Sequence, residues 1–248
     1  YIFDLDILKK QTDRLRKALG KETGLCYAMK ANPFLTEQMA EQADRIEVCS
    51  MGEFEICRSL GIPPEKLFIS GVLKKKEDIY RILEIYGEKC RYTVESVRQL
   101  HYFLEWSDTH MKTLRLYPRL TNGSQFGMDE ETMRSIVSIV NMSPYLEIEG
   151  IHYFSGTQKR HIRQFRQELQ MLDRFLQKIR DEWNVEIRHL EYGPGTAVPY
   201  FIGKEAETYT DDGLGELKEA IRSMEWNGNV TIELGRAFAA ECGYYLTE

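Results

Sequence analysis

An alternation along the chain limits its fold more than any other feature. Short runs rich in aliphatic and β-branched residues recur, each followed by a longer amphipathic stretch. The runs fall at residues 25–29, 46–49, 67–70, 91–94, 114–117, 148–153, 189–192 and 230–234. Most are short and continuous, as expected for parallel strands buried on both faces. The stretches between them have helical spacing. Over 164–179, Phe165, Leu169, Leu172, Phe175, Leu176 and Ile179 fall on one stripe. Ser50-Met51-Gly52-Glu53 has the S-x-x-E spacing that satisfies free N–H groups at a helix start. Eight strands, each followed by a helix or a chain end, predict an α/β fold with a closed (β/α)8 TIM-type barrel rather than an open doubly wound sheet. The 248 residues suffice for one such barrel.

In such a barrel the chemistry gathers where strands end and βα loops begin. Lys30 ends the first strand and Ser50 the second, while Arg115 and Tyr117 lie near the end of the fifth. His152 and Ser155 end the sixth, Gly193 and Gly195 the seventh, and Glu233, Gly235 and Arg236 the eighth. A lysine in a low-dielectric barrel mouth is biased toward its neutral amine, a nucleophile toward carbonyls. A snorkelling or ion-paired lysine is the alternative. Tyr192-Gly193-Pro194-Gly195-Thr196 could let backbone N–H groups approach a phosphate, or form an ordinary tight turn. Gly235 and Arg236 repeat the theme after the eighth strand, and phosphate sites in these barrels often use the loops after strands seven and eight. Glu233 needs a cationic partner at the end of an apolar strand. That partner is either Arg236 or a protonated heterocyclic nitrogen. His152 is either a satisfied core histidine or a residue lying flat on a cofactor ring. Lys74-Lys75-Lys76 reads as a solvated helix start.

Composition excludes some functions. With 33 Lys and Arg against 39 Asp and Glu, the net charge of −6 disfavours nucleic-acid binding. Cys26, Cys49, Cys57, Cys90 and Cys242 include no CxxC pair, which argues against a disulfide framework or metal site and for a reducing cytoplasm. No apolar run approaches a membrane span, and no signal peptide is visible. The chain opens at Tyr1 rather than Met and reads as a piece of a longer protein.

Seven segments, taken in order, carry a family resemblance. They are Tyr1 to Asp6, Tyr27-Ala28-Met29-Lys30-Ala31-Asn32-Pro33, Ser50-Met51-Gly52-Glu53, Ser124-Gln125-Phe126-Gly127, Gly150-Ile151-His152-Tyr153-Phe154-Ser155, Glu191 to Tyr200, and Glu233-Leu234-Gly235-Arg236. Together they resemble the diaminopimelate/ornithine/arginine decarboxylases, fold-type III enzymes related to alanine racemase. The resemblance implies pyridoxal 5′-phosphate (PLP) as cofactor and decarboxylation of an amino acid as activity. Lys30 would hold the cofactor aldehyde, His152 would stack on its ring, and Glu233 would bind its pyridine nitrogen. Ser155, Gly193, Gly195, Gly235 and Arg236 would hold the phosphate. Glu47 and Arg115 match positions near the stacking histidine, and Tyr27 and Ala28 would line the wall under the ring. Residues 1–248 would form the PLP-binding barrel, with 1–6 and 243–248 as strands leading to a C-terminal β domain. Relatives use that domain to complete the active site of a homodimer.

Several positions depart from the family pattern. Pro194 and Ala197 replace glycines, Leu234 replaces the proline of E-P-G-R, and Gln125 replaces the lysine of S-K-F-G. The stretch Tyr153 to Gln158 is more similar to members acting on unusual or carrier-tethered amino acids, which makes a carrier protein a candidate partner. The substrate is left as diaminopimelate, a basic amino acid or a carrier-tethered one. Racemases continue as K-A-N-A-Y-G where Pro33 and Phe34 follow Asn32 here. An amino-acid racemase, a non-catalytic PLP-binding barrel and a cofactor-free metabolite barrel are the alternatives.

Overall fold

The computed structural model describes residues 1–72, 74–200 and 211–247, and only the backbone of Asp211 and Asp212. Strand β1 (Ile2–Phe3) leads directly into α1 (Leu5–Leu19). The strand expected over 1–6 stops at Phe3 because the Asp4 carboxylate accepts the N–H groups of Asp6 and Ile7 at 3.0 and 3.1 Å and caps the helix. There follow β2 (Gly24–Ala28), α2 (Thr36–Gln42), β3 (Arg45–Val48), α3 (Met51–Ser59), β4 (Leu67–Ile69), α4 (Lys76–Tyr86), β5 (Arg91–Val94) and α5 (Val97–His110). The chain continues through β6 (Leu114–Pro118), α6 (Glu130–Met142), β7 (Leu146–Ile148), β8 (Gly150–Phe154), α7 (Ile162–Trp183) and β9 (His189–Gly193). It ends with α8 (Asp211–Arg222), β10 (Asn229–Leu234), α9 (Arg236–Ala239) and β11 (Gly243–Tyr244).

Among the described residues, nine parallel strands form one sheet in the order β7-β6-β5-β4-β3-β2-β10-β9-β8. Its two edges are β7 and β8, where a single strand is expected over 148–153: β7 takes only Ile148 of that run, and β8 takes Gly150 to Tyr153. The chain changes partner at Glu149. There the N–H donates to the Leu116 carbonyl at 3.1 Å, while the carbonyl accepts from Arg188 and His189 on the other side. Leu120 N–H then donates to His152 O at 2.9 Å and completes the ring. The result is the (β/α)8 barrel, with its sixth strand shared between two neighbours. Gly150 permits the closure, since a Cβ there would lie 2.2 Å from the Tyr117 ring.

Strand alternation divides the barrel residues. Leu25 and Tyr27 face the helices, while Cys26 and Ala28 face the axis. The axis is polar at the N-terminal end of the strands. Arg45 meets Glu191 at 2.6 Å, with its guanidinium 5.9 and 5.5 Å from the Phe68 and Tyr117 ring centroids. Arg91 meets Glu149 at 3.1 Å in the same region. Outside, α7 buries the Phe165–Ile179 stripe read from the sequence. Ser50 caps α3 as expected, accepting Glu53 N–H at 3.3 Å, but the Glu53 carboxylate reaches Cys49 N–H at 2.6 Å rather than that of Ser50. Away from the barrel, β1 pairs antiparallel with β11, in register at Ile2 and Tyr244. Glu248, in the expected terminal strand, lies outside the described residues. Among the described residues, no helix is long and apolar enough to cross a membrane.

Candidate functional site

Past β2 the backbone tightens into a single 3-10 turn, Met29–Ala31, which places Lys30 at the C-terminal mouth of the barrel. Its Nζ lies 2.7 Å from Glu47 Oε2 on β3 and 3.5 Å from Glu233 Oε1 on β10. Cys49 Sγ is 3.8 Å away, and the Phe154 ring centroid 5.5 Å. Glu233 is also 3.0 Å from His152 Nε2 on β8. The three residues expected to be catalytic, Lys30, His152 and Glu233, thus gather with Glu47 in one cluster. Glu233 finds its cationic partner in Lys30, not in Arg236.

Electrostatics corrects one expectation. Burial pulls the Lys30 ammonium down, but Glu47 and Glu233 outweigh it and hold the group well above the ordinary lysine value. Lys30 is therefore a clamped ammonium here, not a neutral amine. His152 goes the other way: burial, reinforced by the Arg119 cation, pushes its imidazole down to about 3. The neutral ring can donate Nε2–H to Glu233. Its Nδ1 then has no partner among the described residues.

A cavity of about 380 Å³ opens beside this cluster, bordered by Ala28, Lys30 and Glu233 together with Gly195, Gly235 and Arg236. Gly195 has φ +66°, and a Cβ there would sit 1.9 Å from Gly156 O. At Gly235 a Cβ would come within 2.8 Å of Ala31 Cβ. Both turns therefore bring bare backbone to the cavity wall. Arg236 opens α9, where its Nη1 donates to the Tyr200 hydroxyl. A lysine that becomes an aldehyde-reactive amine on giving up its proton, a buried carboxylate and a glycine cradle with an arginine fit the aldehyde, ring nitrogen and phosphate of PLP.

Four expected residues stand differently. Tyr27 does not line the cavity: it is fully buried against the helices, edge-on to Phe238 at 5.8 Å, and its hydroxyl donates to Asn32 O at 2.8 Å. Arg115 sits at the opposite end of the barrel, donating to the Glu88 and Lys89 carbonyls at 2.8 and 3.2 Å. Gly193 leaves room for Phe154, whose ring a Cβ would meet at 2.5 Å. Ser155 shares its hydroxyl between the Gly193 and Pro194 carbonyls, both at 3.0 Å, and so holds the turn after β9.

Other residues at the mouth escaped the sequence reading. Arg119 pairs through its backbone with His152 and reaches Glu95 at 2.9 Å. It has the same strand parity as Arg115 but lies four residues on, roughly 13 Å along a strand. The rule that chemistry collects at C-terminal strand ends could have chosen between the two. Lys74 is not solvated: its side chain is 5 % exposed and donates to Gly71 O and Thr93 Oγ1 at 2.7 and 2.8 Å. Burial pushes its ammonium down to about 8.

Residues 5–240 match the family model described as "Pyridoxal-dependent decarboxylase, pyridoxal binding domain". An L-glutamyl-[BtrI acyl-carrier protein] decarboxylase of Niallia circulans is 26 % identical, with all of this chain and 62 % of that protein aligned. A diaminopimelate decarboxylase of Methanocaldococcus jannaschii is 27 % identical over 94 % of this chain and 57 % of its own length. The chain thus spans about three fifths of the length of these relatives. Among solved structures, diaminopimelate decarboxylase from M. jannaschii superposes with a TM-score of 0.84 at 22 % identity, covering 97 % of this chain and 61 % of that one. SrLDC in complex with PLP and cadaverine gives 0.85 at 20 % identity with the same coverage. Both likenesses are of fold.

Proposed function

From the premise that this chain belongs to the pyridoxal-dependent decarboxylases, as their pyridoxal-binding domain, we propose that it supplies the cofactor-binding barrel of an amino-acid decarboxylase. The observation carrying this reading is the chain of contacts Glu47–Lys30–Glu233–His152, at 2.7, 3.5 and 3.0 Å, beside a glycine-walled cavity. When bound, the pyridoxal group supplies an electron sink for the charge left on the substrate α-carbon as carbon dioxide departs.

The chain's own residues prepare that site. Lys30 Nζ must lose a proton before it can attack a carbonyl, and Glu47 Oε2 at 2.7 Å is the nearest acceptor. Glu233 offers a buried carboxylate to a ring nitrogen, and a negative charge fixed there favours the protonated, electron-accepting ring. His152, held neutral by burial, keeps that carboxylate in place without competing for its charge. Gly195, Gly235 and Arg236 would hold the phosphate, with Ser155 and Gly193 bracing the turn between them.

We further infer that substrate recognition is shared with a β domain joined at the β1–β11 ribbon. Tyr1, Ile2, Tyr244, Tyr245 and Leu246 are exposed there, an apolar edge suited to a continuing sheet. A homodimer follows from the same reading. The substrate class is an α-amino acid, either free, such as diaminopimelate or a basic amino acid, or carrier-tethered as in the Niallia circulans relative. The five unpaired cysteines support a reducing cytoplasm. The test is carbon dioxide release by the full-length protein from diaminopimelate, lysine, ornithine, arginine and carrier-bound glutamate. One substrate should turn over in a PLP-dependent way and lose turnover in Glu233→Ala. Turnover of none, or racemization of alanine instead, refutes the decarboxylase reading.

A further inference from the structure

We propose that Thr196 is a phosphate-binding residue of this cavity, its hydroxyl supplying the donor that Pro194 cannot. The inference rests on the PLP reading of the site and adds a residue to it. The turn after β9 runs Gly193-Pro194-Gly195-Thr196, and proline has no N–H to offer an anion. Two residues on, Thr196 is 8 % exposed and stands between this cavity, which it lines with Lys30, Gly195, Gly235 and Arg236, and a smaller one bordered by Leu15 and Leu214. Its Oγ1 is buried and has no hydrogen-bond partner among the described residues. Of the buried side-chain atoms in that condition, only this one belongs to a residue on the cavity wall.

The position is also rigid. Lys159 N–H donates to Gly195 O at 2.9 Å, and Ala197 N–H donates to Lys159 O at 2.9 Å, so Thr196 is anchored on both sides. Gln158 clamps the next turn, accepting Val198 N–H at 2.8 Å and donating to Val198 O at 3.1 Å. A buried hydroxyl left dry is unfavourable, whereas one that donates to a phosphate oxygen makes a charge-assisted bond. A polar group held fixed on a cavity wall without a partner is suited to a ligand that brings an acceptor.

The test measures affinity rather than turnover. The full-length protein and its Thr196→Val and Thr196→Ser variants are titrated with PLP and, separately, with pyridoxal, which lacks the phosphate. Loss of one charge-assisted bond should weaken PLP binding to Thr196→Val by about tenfold to a hundredfold. Pyridoxal binding should not change, and Thr196→Ser should stay near wild type. Adding Pro194→Gly to Thr196→Val should recover part of the loss by restoring an N–H. If valine disturbs folding, seen as a changed near-ultraviolet circular dichroism spectrum, Thr196→Ala carries the same comparison. Unchanged PLP affinity in the hydroxyl-free variant overturns the proposal, as does an equal loss for pyridoxal. A wild-type protein that binds no PLP overturns the cofactor reading itself, and this proposal with it.

Discussion

Replacing Glu47 by glutamine should release the Lys30 proton at lower pH. The carboxylate lies 2.7 Å from Nζ, and Glu233 would remain at 3.5 Å. At the shorter distance two unit charges attract by about 1.5 kcal/mol with bulk-water screening and about 6 kcal/mol at an effective dielectric of ~20. The Lys30 side chain is 46 % exposed although Glu47 is buried, so the lower part of that range applies. At about 1.4 kcal/mol per pH unit, the Lys30 titration should move down by about 1–2 units. Competitive labelling with trace acetic anhydride, read at the Lys30 peptide by mass spectrometry from pH 6 to 11, measures this. In the wild type, labelling should climb through the ordinary lysine range without levelling. In Glu47→Gln it should be about tenfold or more greater at pH 8. Superimposed curves would refute the argument that the carboxylates, rather than burial, set the state of Lys30.

Other consequences are as specific. Arg119→Ala should alter the absorbance spectrum and weaken the binding of added PLP, whereas Arg115→Ala, at the far end of the barrel, should leave affinity within about twofold. Glu191→Ala strands the buried Arg45 cation, so urea unfolding should show a loss of about 3–5 kcal/mol. Replacing both residues by apolar ones should cost less. Gly195→Ala places a Cβ against Gly156 O at 1.9 Å, and equilibrium dialysis should find PLP retention lost together with a lowered Tm.

How much was legible in the sequence depended on the range of the signal. Short runs rich in aliphatic and β-branched residues mark the barrel strands because each strand buries its helix-facing side chains, while the polar residues between them turn to the axis. The stripe from Phe165 to Ile179 fixed α7 for a similar reason. The 148–153 run reads as one strand, because the switch of partners at Glu149 depends on its backbone meeting Leu116 on one side and His189 on the other. Neither contact leaves a local trace. Lys30, Glu233 and His152 were found because strand ends point to the mouth. Arg115 stands out in the sequence rather than Arg119 because the run of strand-forming residues stops at Tyr117, one residue before β6 ends, and leaves the further arginine outside it. The ammonium state of Lys30 could not be foreseen, since burial alone argues for a neutral amine and the opposing carboxylates come from two other strands. Lys74 is illegible for the same kind of reason: a lysine run suggests solvent, and only the packing of Gly71, Thr93 and Glu95 around Nζ makes one of the three interior.

The central claim is that Lys30 is the residue that holds a pyridoxal cofactor. Incubating the full-length protein with PLP, reducing with borohydride and mapping the pyridoxyl group by peptide mass spectrometry tests it directly. A single adduct on Lys30 is the predicted result. Labelling of Lys74, Lys159 or another lysine in its place, or no adduct in the folded protein, would contradict the account and favour a barrel that binds its ligand without this cofactor.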